Sequence, residues 1–252
     1  MKRTFYNIAL ALAVVTAGSC TKIDNYKGPD QTLQGTIIDA GTGLKLQSEV
    51  SGDNGSGTRI KLLETSWSSN PTPLYLATKQ DGTYINTKVF AATYNISAEG
   101  AFVPLVQTGA NPVDKSQNVE VKGGTTTVNF SVEPFLRVEW VGDPVLNSNG
   151  TITAQCKITR GTANPAFQNN ITDVTLFINS SPYVGNNIYD ARYVAKITYS
   201  GSAANAILGT TLTLTTTGGA LPKKDYYLRV GARTNYGLKQ YNYNEPKLVA
   251  VQ

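Results

Sequence analysis

Trp67 stands in a polar run, Glu64-Thr65-Ser66-Trp67-Ser68-Ser69-Asn70, and Tyr75 follows the prolines at 71 and 73. Tyr183, Asn186, Asn187, Tyr189 and Tyr193 form a second aromatic and amide group, and Tyr236, Tyr241 and Tyr243 a third. Aromatic faces cover the apolar C–H surface of a sugar ring, while amides and carboxylates bond its hydroxyls. These groups are therefore the chain's candidates for carbohydrate contact, and the set expected to carry it is Trp67, Tyr75, Tyr183, Asn187 and Tyr189. Any one tyrosine among them also fits the blander role of an amphipathic residue at the rim of a core. Trp140 follows Leu136 and Val138 on one strand face and is expected inside the core.

Catalysis finds little to use. The chain has no histidine, which removes the usual general base of serine and cysteine hydrolases and the commonest metal ligand. Glu133/Glu139 and Asp39/Asp81 come nearest to the two acids of a glycoside hydrolase, without any hydrolase signature around them. Asp53-Asn54-Gly55-Ser56-Gly57 lacks the series of oxygen ligands, ending in a bidentate glutamate, of a calcium loop. No catalytic residue, metal or cofactor is expected. Cys156 alternates with Ile152, Ala154 and Ile158 on one strand face and reads as a small core hydrophobe.

Cys20 carries a different chemistry. Met1-Lys2-Arg3, the apolar run Ile8–Val15 and the small residues Ala17-Gly18-Ser19 lead up to it, in the order of a secretory signal. The apolar run is shorter than the roughly 20 residues that a membrane-crossing helix needs. A cysteine directly after small residues resembles a bacterial lipobox, in which the thiol is lipidated and the cysteine becomes the new N-terminus. Residues 1–19 are then the signal peptide, and 20–31 a lipidated end and polar tether. Three acyl chains, at roughly 0.8 kcal/mol per buried methylene, would make such an anchor nearly irreversible.

The remaining sequence must supply the elements. Basic residues number 22 against 17 acidic, a formal charge of +5, and they are scattered rather than gathered on one face. That excludes the concentrated basic footprint of a nucleic-acid binder. From Thr32 onward short alternating runs succeed one another: Thr32–Asp39, Thr58–Glu64, Leu74–Thr78, Thr83–Val89, Thr93–Ile96, Val119–Val121 and Thr125–Phe130. Asp81-Gly82 and Gly123-Gly124 predict hairpins. Glu133-Pro134 breaks the pattern, and seven further strands with turns between them predict an immunoglobulin or fibronectin-III-like sandwich. Two loops interrupt it, Gly161–Thr172 and Asn179–Arg192. The expected fold is all-β: a β-sandwich over 32–132 and a second over 133–252.

Gly35-Thr36-Ile37-Ile38-Asp39, Thr42-Gly43, Asp81-Gly82-Thr83-Tyr84 and Ala92-Thr93-Tyr94-Asn95-Ile96 together resemble the transthyretin-like, carboxypeptidase-regulatory-like modules, which are structural or carrier domains without catalysis. Asn70-Pro71-Thr72-Pro73, Gly100–Pro104, Val132–Val138 and Tyr226–Arg233 extend the resemblance over nearly the whole mature chain. They are similar to the Bacteroidota lipoprotein family called domain of unknown function 3823. The resemblance implies an outer-membrane lipoprotein facing the cell exterior beside glycan-uptake systems. Its implied partners are a TonB-dependent porin, that porin's substrate-binding lipoprotein, and an oligo- or polysaccharide. The alternative is a structural or adhesion module of the cell surface with no sugar site.

Overall fold

The computed structural model describes residues 27–49, 55–66 and 68–252. Cys20, Trp67 and Asp53-Asn54 lie outside them. Among the described residues the chain is nearly all-β, with two short 3-10 turns at Pro165–Phe167 and Ser202–Ile207.

The first domain comprises β1 (Gln31–Asp39), β2 (Arg59–Glu64), β3 (Leu74–Ala77), β4 (Thr83–Val89), β5 (Ala92–Glu99), β6 (Val106–Gln107), β7 (Val113–Asp114), β8 (Gln117–Val121), β9 (Thr125–Thr127) and β10 (Phe130–Val132). β1 is central in one sheet, antiparallel to β4 and parallel to β9 and β10. The facing sheet is antiparallel in the order β3-β2-β5-β8. Alternation decides which side chains meet between the sheets: Leu33 and Ile37 of β1, Ile60 and Leu62 of β2, and Tyr94 and Ile96 of β5 are buried in one core. Between β9 and β10 the chain bends, and the Val128 carbonyl accepts the Tyr84 hydroxyl at 2.5 Å. Gly35 lies beneath that carbonyl, where an added Cβ would stand 1.8 Å from the oxygen.

Both predicted hairpins are corrected by this topology. β3 pairs with β2, whereas β4 pairs with β1, so the chain changes sheets at Asp81-Gly82. The tight turn itself is present, with Gly82 at φ +74° and its amide bonded to the Lys79 carbonyl at 3.0 Å. Thr78 holds the end of β3 to the Thr58 carbonyl, while the Gly82 carbonyl accepts from Ile37, which delivers the next strand to β1. Gly123-Gly124 likewise carries the chain from β8, paired with β5, to β9, paired with β1. A two-residue signal specifies a reversal of direction; the buried face of each flanking strand specifies its partner.

The second domain comprises β11 (Leu136–Trp140), β12 (Val145–Leu146), β13 (Ile152–Arg160), β14 (Ile171–Asn179), β15 (Ala195–Thr198), β16 (Thr211–Thr215), β17 (Lys224–Thr234), β18 (Tyr241–Tyr243) and β19 (Lys247–Val251). β13 lies between β11 and β16 and also pairs with β12. The opposite sheet runs β15-β14-β17, with β18 and β19 both on β17. This is the immunoglobulin-like sandwich. Ile152, Ala154, Cys156 and Ile158 of β13 are buried with Val174, Leu176 and Ile178 of β14 and Leu228, Val230 and Ala232 of β17. Burial pushes the Cys156 thiol up to about 12.

Trp140 departs from its expected place. Leu136 and Val138 are buried, but the indole at the end of β11 is only partly covered, and its Nε1 donates to the Glu245 carbonyl at 2.8 Å. Strand alternation fixes the direction of a side chain, not how far the facing sheet extends over it.

Candidate functional site

The two domains are joined by buried polar contacts. Arg229 of β17 is fully buried and donates to the carbonyls of Asn244 and Ser48, each at 2.8 Å, and to Gln47 Oε1 at 3.3 Å. Its guanidinium carbon is 4.2 Å from the centroid of Tyr243. Burial pulls the arginine down to about 10 against the opposing fields of Tyr243 and Glu49. Glu49 of the first domain accepts the Tyr243 hydroxyl and, at 2.6 Å, the Asn186 amide. Burial, followed by the Glu49 charge, raises Tyr243 well above the usual phenol range. Asn242 Nδ2 donates to the Ala101 carbonyl at 2.8 Å, while its oxygen accepts the Leu136 amide at 3.0 Å.

A cleft of about 550 Å³ opens beside this seam. Its floor is the outer face of β2 and β5, whose register sets Arg59 opposite Glu99, Lys61 opposite Ser97 and Leu63 opposite Asn95. Arg59 donates to Glu99 Oε2 through Nε at 2.9 Å, with Nη2 at 2.8 Å from the same oxygen. Lys61 Nζ is 3.9 Å from the other carboxylate oxygen. Asn95 Nδ2 donates to Ser116 Oγ at 2.7 Å and to Asn118 Oδ1 at 2.9 Å. Val106 and Asp114 of the β6–β7 hairpin form one wall; Tyr236, Leu238 and Gln240, from the β17–β18 connection, form the other. Leu238 and Val106 are 70% and 48% exposed and leave two apolar lips open to solvent. Tyr236 is fixed from behind by Phe135, with ring centroids 4.8 Å apart.

Arg59, Lys61, Glu99 and Asp114 balance in charge, amides and hydroxyls lie between them, and apolar side chains rim the opening. Such a surface suits a neutral, hydroxyl-rich ligand, which asks for many weak donors and acceptors beside apolar area. The lining contains no cysteine, and among the described residues no group of three His, Cys, Asp or Glu is placed to hold a metal.

The expected sugar contacts fall elsewhere. Tyr75 is on β3, on the same sheet as the cleft floor, with the Arg59 guanidinium 3.8 Å over its ring. Tyr183, Asn187 and Tyr189 share the 180–190 loop of the second domain. Asn187 Nδ2 donates to Ser56 Oγ at 2.7 Å and so helps join the domains. Tyr189 packs edge-on to Phe177, with centroids 5.5 Å apart, and Tyr183 is exposed. None of these four lines the cleft, and Trp67 lies outside the described residues. Tyr241 and Tyr243 are buried, leaving Tyr236 as the member of the third aromatic group that faces the cleft. Arg59, Lys61 and Leu63 were visible as an alternating strand face; their partners on β5 were not, because register between strands 30 residues or more apart is a tertiary property.

No protein of curated function matches the sequence. Among solved structures, a DUF3823 family protein from Bacteroides uniformis is 33% identical, with a TM-score of 0.80 over 89% of this chain and 100% of its own. A second Bacteroides uniformis protein, whose name proposes carbohydrate binding, is 26% identical, with a TM-score of 0.66 over 88% of this chain and 100% of its own. A DUF3823 family protein from Parabacteroides merdae shares the fold at 20% identity, with a TM-score of 0.63 over 90% of this chain and 100% of its own. The profile described as "Protein of unknown function (DUF3823) N-terminal domain" matches residues 31–133, and "Domain of unknown function (DUF3823_C)" matches residues 141–247. The chain belongs to the DUF3823 family.

Proposed function

We propose that this protein is a non-catalytic lipoprotein of the outer membrane, facing the cell exterior, that captures glycan for a TonB-dependent porin and its substrate-binding lipoprotein. The observation that carries the reading is the interdomain cleft: a preformed, charge-balanced surface with amides, hydroxyls and apolar lips. The name of the 26%-identical relative points the same way. The signal-like segment ending in Cys20 supports the anchor.

A glycan array probed with the purified full chain tests the capture step. Binding to a defined set of oligosaccharides, with the bound sugars recovered uncleaved, is the expected result. Silence across the array, or cleaved product, counts against it. For the anchor, alkynyl fatty acid fed to cells should label the wild-type chain and leave Cys20→Ala unlabelled and released from membranes.

A further inference from the structure

A second groove at the domain seam, about 270 Å³, lies between the turn after β1 and the end of β11. Leu44 and Gln47 line it from the first domain, and Glu139, Trp140, Asn244 and Glu245 from the second. Leu44 is 70% exposed although it is apolar. The Trp140 indole is partly open, its N–H tied to the Glu245 carbonyl and Lys247 Nζ 5.6 Å from its ring. That ammonium is itself held by the Gly142 carbonyl at 2.9 Å and by Asp143. Asn244 is 5% exposed; its Oδ1 accepts the Val230 amide at 2.8 Å, while its Nδ2 is buried with no hydrogen-bond partner among the described residues. A buried donor left unpaired is costly, so this amide calls for an acceptor in the groove. The carboxylates of Glu139 and Glu245 make no hydrogen bond among the described residues and are available as acceptors.

We infer that this groove is a second ligand site, which takes one ring of a neutral saccharide. The indole and Leu44 meet the C–H face of the ring, Glu139 and Glu245 accept from its hydroxyls, and Asn244 Nδ2 donates to a ring or hydroxyl oxygen. Charge sets the class. Asp39, Glu139 and Glu245 outnumber Lys45 and Arg137 around the groove, and Asp39 and Arg137 are spent on each other, so a uronate or sulfated sugar meets net negative charge. This site rests on the glycan-capture reading but is separate from the cleft, since among the described residues none lines both.

The chain has two tryptophans, so Trp67→Phe makes Trp140 the sole indole reporter. Full-length wild type, read by calorimetry, and full-length Trp67→Phe, read by tryptophan emission, are each titrated with cellohexaose, xylohexaose, maltohexaose and a galacturonate hexamer. The expected result is that a neutral hexasaccharide shifts Trp140 emission and the galacturonate does not. Glu139→Ala, an exposed position, should weaken that binding about fivefold, the scale of one lost hydrogen bond. Asn244→Asp keeps the acceptor that Val230 needs and removes the donor, with a similar loss expected. Calorimetric binding with unchanged Trp140 emission and no effect of Glu139→Ala overturns the groove and leaves glycan capture standing. Preferential galacturonate binding at Trp140 overturns the neutral class. No heat from any of the four overturns both readings for this panel.

Discussion

Arg137 reaches back from the second domain to grip Asp39 of the first: Nε lies 2.5 Å from Oδ2, and Nη2 lies 2.7 Å from Oδ1. Side-by-side bonds of this kind fix an angle as well as a distance, so the pair orients β11 against the end of β1. Burial alone would raise the Asp39 carboxyl; the guanidinium and the Gly41 amide outweigh it and hold the carboxyl below its ordinary value.

Arg137→Met should therefore cost about 1–3 kcal/mol, between the exposed and buried limits for broken pairs. The pair also gives a pH signature. With the folded carboxyl titrating below the unfolded one, its contribution is complete above an unfolded pKa of about 3.9 and disappears as pH falls through the lower folded value. Urea midpoints measured from pH 6 to pH 2.5 should fall more steeply for wild type than for Arg137→Met.

Arg229 is the stronger seam contact. Arg229→Met leaves the Ser48 and Asn244 carbonyls without their donor inside the interface, and the expected loss is about 3–5 kcal/mol. Scanning calorimetry checks it: wild type should melt in one transition, and the variant at a clearly lower temperature. Arg229→Lys, a point charge that cannot span both carbonyls, should recover only part of the loss.

Gly35→Ala tests the bend between β9 and β10. With the Val128 oxygen 1.8 Å from the new methyl position, β1 and the bend must separate or the Tyr84 bond must break. A destabilisation of about 3 kcal/mol or more is expected in a denaturant titration, beyond the ordinary range for point changes.

Cys156 should behave as a core residue and not as a thiol reagent's target. In a Cys20→Ala chain it is the single cysteine, and its thiol, pushed up to about 12, stays protonated at pH 8. Ellman's reagent should react with it only after unfolding. Prompt reaction in the native protein would show that the β13 face is open.

Alternation and turn residues made much of the fold legible: β1, β2 and β13 each bury one face, and an all-β chain of two sandwiches follows from runs of that kind. Partner choice was less legible. Asp81-Gly82 has the chemistry of a hairpin turn, yet Thr78 holds one flank to β2 while Gly82 passes the other to β1. The same difficulty hid the candidate cleft. Asn187 bonds Ser56 of the other domain across the seam, a contact that no local pattern encodes. At Trp140 alternation sets the strand face, while the reach of the covering layer is a tertiary property that leaves the indole partly open.

If the cleft between the domains holds glycan, calorimetric titration of an array-selected oligosaccharide into cleft variants should show weakened binding. Lys61→Ala removes a charge from the floor, and Leu238→Asp puts a charge on a lip that is already exposed, so neither should change the unfolding midpoint by more than about 0.5 kcal/mol in stability. The double variant should bind at least about tenfold more weakly than wild type, a difference of about 1.4 kcal/mol. Wild-type affinity in a folded double variant would contradict it.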